Sequence, residues 1–233
     1  MFPLRDNTPR TRFPFITLAL MAVNIYVFAY QIFLNPYALE HFVFQNGMVP
    51  YRVTAFLSGR APVELALAPL FTSMFLHAGW MHLIGNMWFL WIFGDNIEDN
   101  FGHLNYLLFY VLCGLLASLT HWIAGPMSRI PSVGASGAIA GIMGAYMLLF
   151  PRAKVLTLVP FFFIFTVELP AIVLLLYWFA IQFFSGVAAV GQSQQAQGGI
   201  AFWAHIGGFL AGGALCFLFR DQRRLRGYYR TYD

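Results

Sequence analysis

Four stretches of this chain are apolar for long enough to cross a lipid bilayer, and that limits its fold more than anything else in it. They run from about Phe13 to Leu34, from Asn105 to Ala124, from Leu169 to about Val190, and from Ala201 to Phe219. In hydrocarbon every backbone N–H and C=O must find a partner within the protein, so such segments become helices. Composition agrees: 60% of the 233 residues are hydrophobic and only 9% are charged, whereas a soluble domain needs about a quarter of its residues charged. A soluble globular domain, a disordered chain and a nucleic-acid binder are all poor readings. The first run follows a short Arg-containing segment but lacks a small-residue cleavage site, so it reads as a retained helix. Cys113 and Cys216 each lie inside an apolar run, which supports neither a disulfide framework nor a thiolate metal site.

Two further apolar runs, Trp80 to Phe93 and Ser136 to Phe150, are short. At 1.5 Å per residue each makes roughly 21 to 22 Å of helix, less than a hydrocarbon core of about 30 Å. Counting both gives an all-α polytopic protein, one domain over residues 1–233 with six helices (about 13–34, 80–93, 105–124, 136–150, 169–190 and 201–219). Both termini then lie on one side. With that side cytoplasmic, Arg5, Arg10, Arg12, Arg152, Lys154, Arg220, Arg223, Arg224, Arg226 and Arg230 face inward and only Arg52, Arg60 and Arg129 outward, as the positive-inside rule requires. Anionic lipid headgroups account for the terminal arginine clusters. The segment from about Asn35 to Gly79 is apolar but broken by prolines and glycines, and its Val63 to Leu76 stretch is amphipathic enough to lie in the outer leaflet as an inserted loop.

In this topology the second, fourth and sixth helices all begin at the outer face, which sets His82, Asn86, Ser136 and His205 at matched depth. Around Ser136 the chain reads GASGAIAGIMGAY, where Gly137, Gly141 and Ala145 form one small-residue stripe and Ser136, Ala140 and Gly144 the next. On the sixth helix AHIGGFLAGG puts His205, Gly208 and Gly212 on one face. Small stripes allow helices to approach closely, and packing these two together brings Ser136 to His205. A serine becomes a nucleophile when a positioned imidazole takes its proton. Asn86 and His82, one turn apart, and the Ser136 backbone N–H at a helix N-terminus are donors for a developing oxyanion. Each feature alone has a blander explanation: glycine stripes pack membrane helices, and a buried histidine or serine often only satisfies local backbone. Their coincidence at one depth points to a site. No Asp or Glu lies at that depth on any span, so a Ser-His dyad is implied rather than a triad. No HExxH or intramembrane aspartate pair is present, and position 138 is alanine, which excludes a GxSxG elbow.

HLIGN at 82–86, GASG at 134–137 and AHIGGFLAG at 204–212 occur in the order and on the helices of the three motifs of rhomboid intramembrane serine proteases, and the chain resembles that family over its whole length. The resemblance implies Ser136 as nucleophile, His205 as general base, His82 and Asn86 on the oxyanion side, and a structural Glu98 in GDNIEDNFG. It implies no metal or organic cofactor. The bare six-helix form looks prokaryotic, placing it in the cytoplasmic membrane with both termini inside. Two departures stand out. The Trp-Arg pair of the first outer loop is absent, leaving Arg52 or Arg60 as substitutes. The aromatic residue that some members carry one turn after the serine is Ala140 here, so His205 must be supported by Trp203 or a neighbouring helix.

The expected activity is endoproteolysis of transmembrane segments of other membrane proteins near their outer ends. Cleavage needs extended backbone, which favours substrates with helix-weakening residues near the cut. Expected partners are single-span or multi-span membrane proteins and the bilayer, with no nucleic acid. The alternative is a catalytically inactive rhomboid-like binding protein or chaperone for membrane segments. A transporter is disfavoured by the lack of internal repeats and of acidic residues in the spans. For substrate entry the fifth helix is the candidate gate through Trp178, Phe183 and Phe184, being bulky and without glycine until Gly186; the loop Gly191 to Gly199 is its candidate cap.

Overall fold

The computed structural model describes residues 1–160, 164–188 and 202–230. After the strand β1 (Phe2–Asp6) come α1 (Phe15–Ile32), the loop helices α2 (Pro36–Asn46), α3 (Pro50–Leu57) and α4 (Val63–Thr72), and then α5 (Trp80–Phe101), α6 (His103–Ala124) and α7 (Ser136–Leu149). Strands β2 (Lys154–Pro160) and β3 (Ile164–Pro170) follow, then α8 (Ala171–Ala188), α9 (Phe202–Phe219) and α10 (Gln222–Arg230). Among the described residues α1, α6, α8 and α9 are each long and apolar enough to cross a membrane. The helical segment Val63–Phe75 and α5 pass that test together, bent by 77° where they meet. With the short α7 these make a six-helix bundle, and the first long loop is the helical α2–α4 layer.

The second helix of the bundle is longer than hydropathy implies. The sequence places its end at Phe93 and a loop after it, but α5 continues through the acidic residues to Phe101. The reason lies at α1, whose N-cap is Pro14 and provides no capping side chain. Glu98, 1% exposed, fills that gap. Its carboxylate accepts from the backbone N–H groups of Ile16 and Thr17, both at 2.8 Å, and from Thr17 Oγ1 at 2.7 Å, while His103 Nδ1 lies 2.5 Å away. A negative charge there satisfies orphan donors and complements the helix dipole. Asp99 likewise accepts from Thr11 Oγ1 and the Arg12 backbone N–H, and Asp95 pairs with Arg10 at 3.1 Å. The polar end of α5 is thus helix held by the N-terminal segment, and Glu98 is structural.

A three-stranded antiparallel sheet, ordered β1-β2-β3, lies beside this end. In β3 Phe165, Val167 and Leu169 alternate with Thr166 and Glu168, the period of a strand, whereas β2 is apolar at Leu156 and Leu158 as well as at Val155 and Val159 and shows no such alternation. The fifth helix of the bundle therefore begins at Ala171, directly after Pro170, which cannot donate to a ladder or extend a helix backwards. Trp88 Nε1 of α5 donates to the Pro3 carbonyl at 2.6 Å, and Tyr146 OH near the end of α7 donates to the Asp6 carboxylate. Burial pushes the Asp6 carboxyl above the ordinary carboxylate range, partly offset by the Tyr146 and Thr8 hydrogen bonds. Four of the five C-terminal arginines, all but Arg220, lie on an amphipathic helix, α10, whose Leu225 and Tyr228 are buried and whose Tyr229 OH donates to Leu149 O at 2.9 Å.

The core of the bundle is α7, buried without interruption from Gly137 to Tyr146. It meets α9 backbone to backbone. A β-carbon on Gly208 would fall 2.0 Å from the Gly137 carbonyl oxygen, and one on Gly212 would fall 1.9 Å from that of Gly141. No side chain fits there. On the opposite flank Gly137 and Gly141 face the small side chains of Ala117 and Cys113 on α6. The four stripe glycines therefore set the spacing of three helices.

Candidate active site

Ser136 is the first residue of α7, so its backbone N–H points out of the helix toward the end at which His205 enters α9. The turn before it depends on Gly134, with φ +127 and an N–H donating to Ser73 O at 2.9 Å. Other residues strain at that φ, and a β-carbon there would also lie 2.7 Å from His82 Nε2. The tight loop seats the serine beside α5. His205 Nε2 stands 2.7 Å from Ser136 Oγ, a hydrogen-bonded nucleophile and base.

Asn86, 7% exposed, projects from α5 with its amide nitrogen 2.9 Å from His77 Nε2. Donation there leaves the second amide hydrogen for another acceptor. His82 Nδ1 accepts from the Ala78 backbone N–H at 3.4 Å, which puts the His82 proton on Nε2 as a donor. Ser136, His205, Asn86 and His82 all line one cavity of about 410 Å³, walled also by Phe89 of α5 and Trp178 of α8. Three motifs distant in sequence thus converge on one concave site. His77 escaped the sequence reading. Its backbone N–H and C=O are clasped by the Gln31 side chain of α1, both at 3.0 Å, and the visible signal was a second histidine five residues before His82.

A family profile for the rhomboid domain matches residues 65–222. The chain belongs to the rhomboid family. RHOMBOID-like protein 1 of Arabidopsis thaliana is 28% identical over 228 residues, covering 89% of this chain and 54% of that protein. The putative rhomboid protease YdcA of Bacillus subtilis is 34% identical over 80 residues, 34% of this chain and 40% of YdcA. The rhomboid protease GluP of the same organism is 38% identical over 78 residues, 34% of this chain and 15% of GluP. The chain spans about a quarter to a half of the length of the first curated relatives it matches.

This rhomboid is a multi-pass membrane protein, and its two departures from the family pattern have structural answers. In the first loop Arg52 donates to Phe44 O at 2.6 Å and lies 4.2 Å over the Phe44 ring, tying α3 to α2. Beside His205 the neighbouring helix supplies the contacts: Gln182 Oε1 of α8 is 2.8 Å from His205 Nδ1, and the Trp178 ring centre is 5.9 Å from that of His205. Gln182 was also missed, although a lone polar residue in an apolar span is itself a signal. The three gate candidates do not share a face. Trp178 lines the cavity, whereas Phe183 and Phe184 are 42% and 69% exposed. Residues 191–199, the candidate cap, lie outside the described residues.

Proposed function

We propose that this rhomboid is an intramembrane serine endopeptidase that cuts transmembrane segments of other membrane proteins near their outer ends. The hydrogen bond between His205 Nε2 and Ser136 Oγ at the wall of a 410 Å³ cavity carries the reading. Ser136 Oγ attacks the scissile carbonyl as its proton passes to His205 Nε2. The oxyanion that forms is met by the Asn86 amide, the Ser136 backbone N–H and His82 Nε2–H. His205 then returns the proton to the departing amine, and a water, activated by the same imidazole, hydrolyses the acyl-enzyme. No metal or organic cofactor enters this scheme. Substrates are membrane proteins whose helix weakens near the cut. The positive-inside distribution supports cytoplasmic-side termini, with the site at the opposite, outer end; the resemblance of the six-helix form to prokaryotic members supports the cytoplasmic cell membrane as its location.

Labelling by a fluorophosphonate probe in detergent, together with cleavage of a transmembrane substrate in liposomes, tests the proposal. Wild-type protein labels and cleaves; Ser136→Ala does neither, His205→Ala loses cleavage, and the double variant is no worse than either single one because the pair acts as a unit. An unlabelled wild-type protein that still binds membrane segments would establish the inactive binding protein instead.

A further inference from the structure

His205 bridges two helices. Its Nε2 lies 2.7 Å from Ser136 Oγ on α7 and its Nδ1 lies 2.8 Å from Gln182 Oε1 on α8. A neutral imidazole has one N–H, so one nitrogen donates and the other accepts. An amide oxygen only accepts, so the Gln182 contact requires the proton on Nδ1. The lone pair then sits on Nε2, facing the serine hydroxyl. With Oε1 turned to Nδ1 the opposite tautomer would set two lone pairs against each other and leave no base at Nε2; a Gln182 amide turned to present its NH2 would hold that tautomer instead, so the Oε1-inward orientation is what keeps the base facing the serine.

We propose that Gln182 is the positioning residue of this site, fixing the tautomer and ring orientation of His205; this rests on the Ser136–His205 reading above. The task is the one a carboxylate performs in serine hydrolases built as triads. A neutral amide suits a membrane-embedded site, because it presents the acceptor without the desolvation cost of a buried charge. Trp178, one turn before Gln182 on the same face of α8, flanks the ring with its plane inclined 41° to the imidazole. The support of the base thus rides on a different helix from both the base and the nucleophile. Displacing α8 from α9 unlatches the imidazole as well as widening the cavity, so chemistry requires α8 to return after substrate has entered.

The test compares Gln182→Leu, which removes the acceptor, with Gln182→Glu, whose carboxyl accepts the same N–H in either protonation state. Both are assayed on a membrane-embedded substrate in liposomes and on a soluble unstructured peptide, with Ser136→Ala alongside. Positioning predicts that Gln182→Leu lowers kcat on both substrates by the same factor, on the order of 10²-fold, slows fluorophosphonate labelling in parallel, and leaves KM nearly unchanged. Gln182→Glu should recover most of kcat. A loss confined to the membrane substrate would mean that Gln182 only packs α8 and would overturn the proposal. So would a Gln182→Glu variant that is folded by thermal unfolding yet as slow as Gln182→Leu, or full kcat in Gln182→Leu while Ser136→Ala is dead; these leave the serine reading intact. Cleavage surviving in Ser136→Ala removes the underlying reading itself.

Discussion

The faces that α9 presents to its two neighbours differ in kind. Against α7 it packs backbone to backbone, with Gly208 and Gly212 pressed on the carbonyls of Gly137 and Gly141. Against α8 it packs through rings, Phe179 and Trp178 standing 4.9 and 6.0 Å from Phe209, and the atoms nearest to a β-carbon on Gly186 belong to the side chains of Phe202, Ile206 and Trp203. Backbone seams of small residues tolerate no change of spacing, whereas side-chain contacts re-form after small displacements. The bond that must be accurate, serine to histidine, spans the rigid seam. The contact that tunes the histidine spans the compliant one.

The largest effect should come from breaking the rigid seam with a single methyl group. In Gly208→Ala the new carbon would lie 2.0 Å from a carbonyl oxygen that cannot rotate away, a worse conflict than the overpacking that ordinarily costs about 1 to 3 kcal/mol. Cleavage and probe labelling should both vanish, and Gly208→Leu should behave no better. Gly186→Ala meets Phe202 Cβ at 3.3 Å, close enough to need a small shift of α8 and no more. It should retain most activity. Equal tolerance at the two sites would show that the seams do not differ as described.

Much of this was legible in the sequence, for identifiable reasons. A polar residue in an apolar run is conspicuous, so Ser136, His205, His82 and Asn86 stood out, and a stripe of glycines has few readings other than close approach. What stayed hidden depended on partners far along the chain. The acidic end of α5 read as loop because carboxylates look like solvent-facing residues until the uncapped start of α1 is placed against Glu98. The sheet was hidden because its strands, Phe2–Asp6 and Lys154–Pro160, are about 150 residues apart and mean something only when paired. Gln182 was overlooked because its role exists only once α8 is set beside His205.

Asn86 isolates chemistry from packing, since it belongs to neither seam and is held by the Gln31–His77 clasp from α1. Asn86→Ala should lower kcat by roughly 10² to 10³, the usual worth of one oxyanion donor, with thermal unfolding little changed. A wild-type rate would remove Asn86 from the oxyanion site and leave Ser136 N–H and His82 to serve it.

The smallest effect probes the compliant seam from outside the chemistry. Phe179 packs on Phe209, whereas Phe183 and Phe184 stand 42% and 69% exposed on α8 and pack on each other rather than on Phe209. If substrate enters where α8 yields, the residues that restrain it are those facing α9. Phe179→Ala should therefore loosen α8; removing about 0.5 to 1 kcal/mol of aromatic contact corresponds to roughly a two- to five-fold gain in rate when opening limits turnover. The gain should appear for the membrane substrate and be absent for a soluble peptide, which needs no lateral opening. Phe183→Ala and Phe184→Ala should change either rate by less. Trp178→Ala must behave differently from all three, because its ring also flanks His205: it should slow both substrates even while freeing the helix. A Trp178→Ala variant faster on the membrane substrate and unchanged on the peptide would show that this ring restrains α8 without supporting the histidine, leaving Gln182 as its support from that helix.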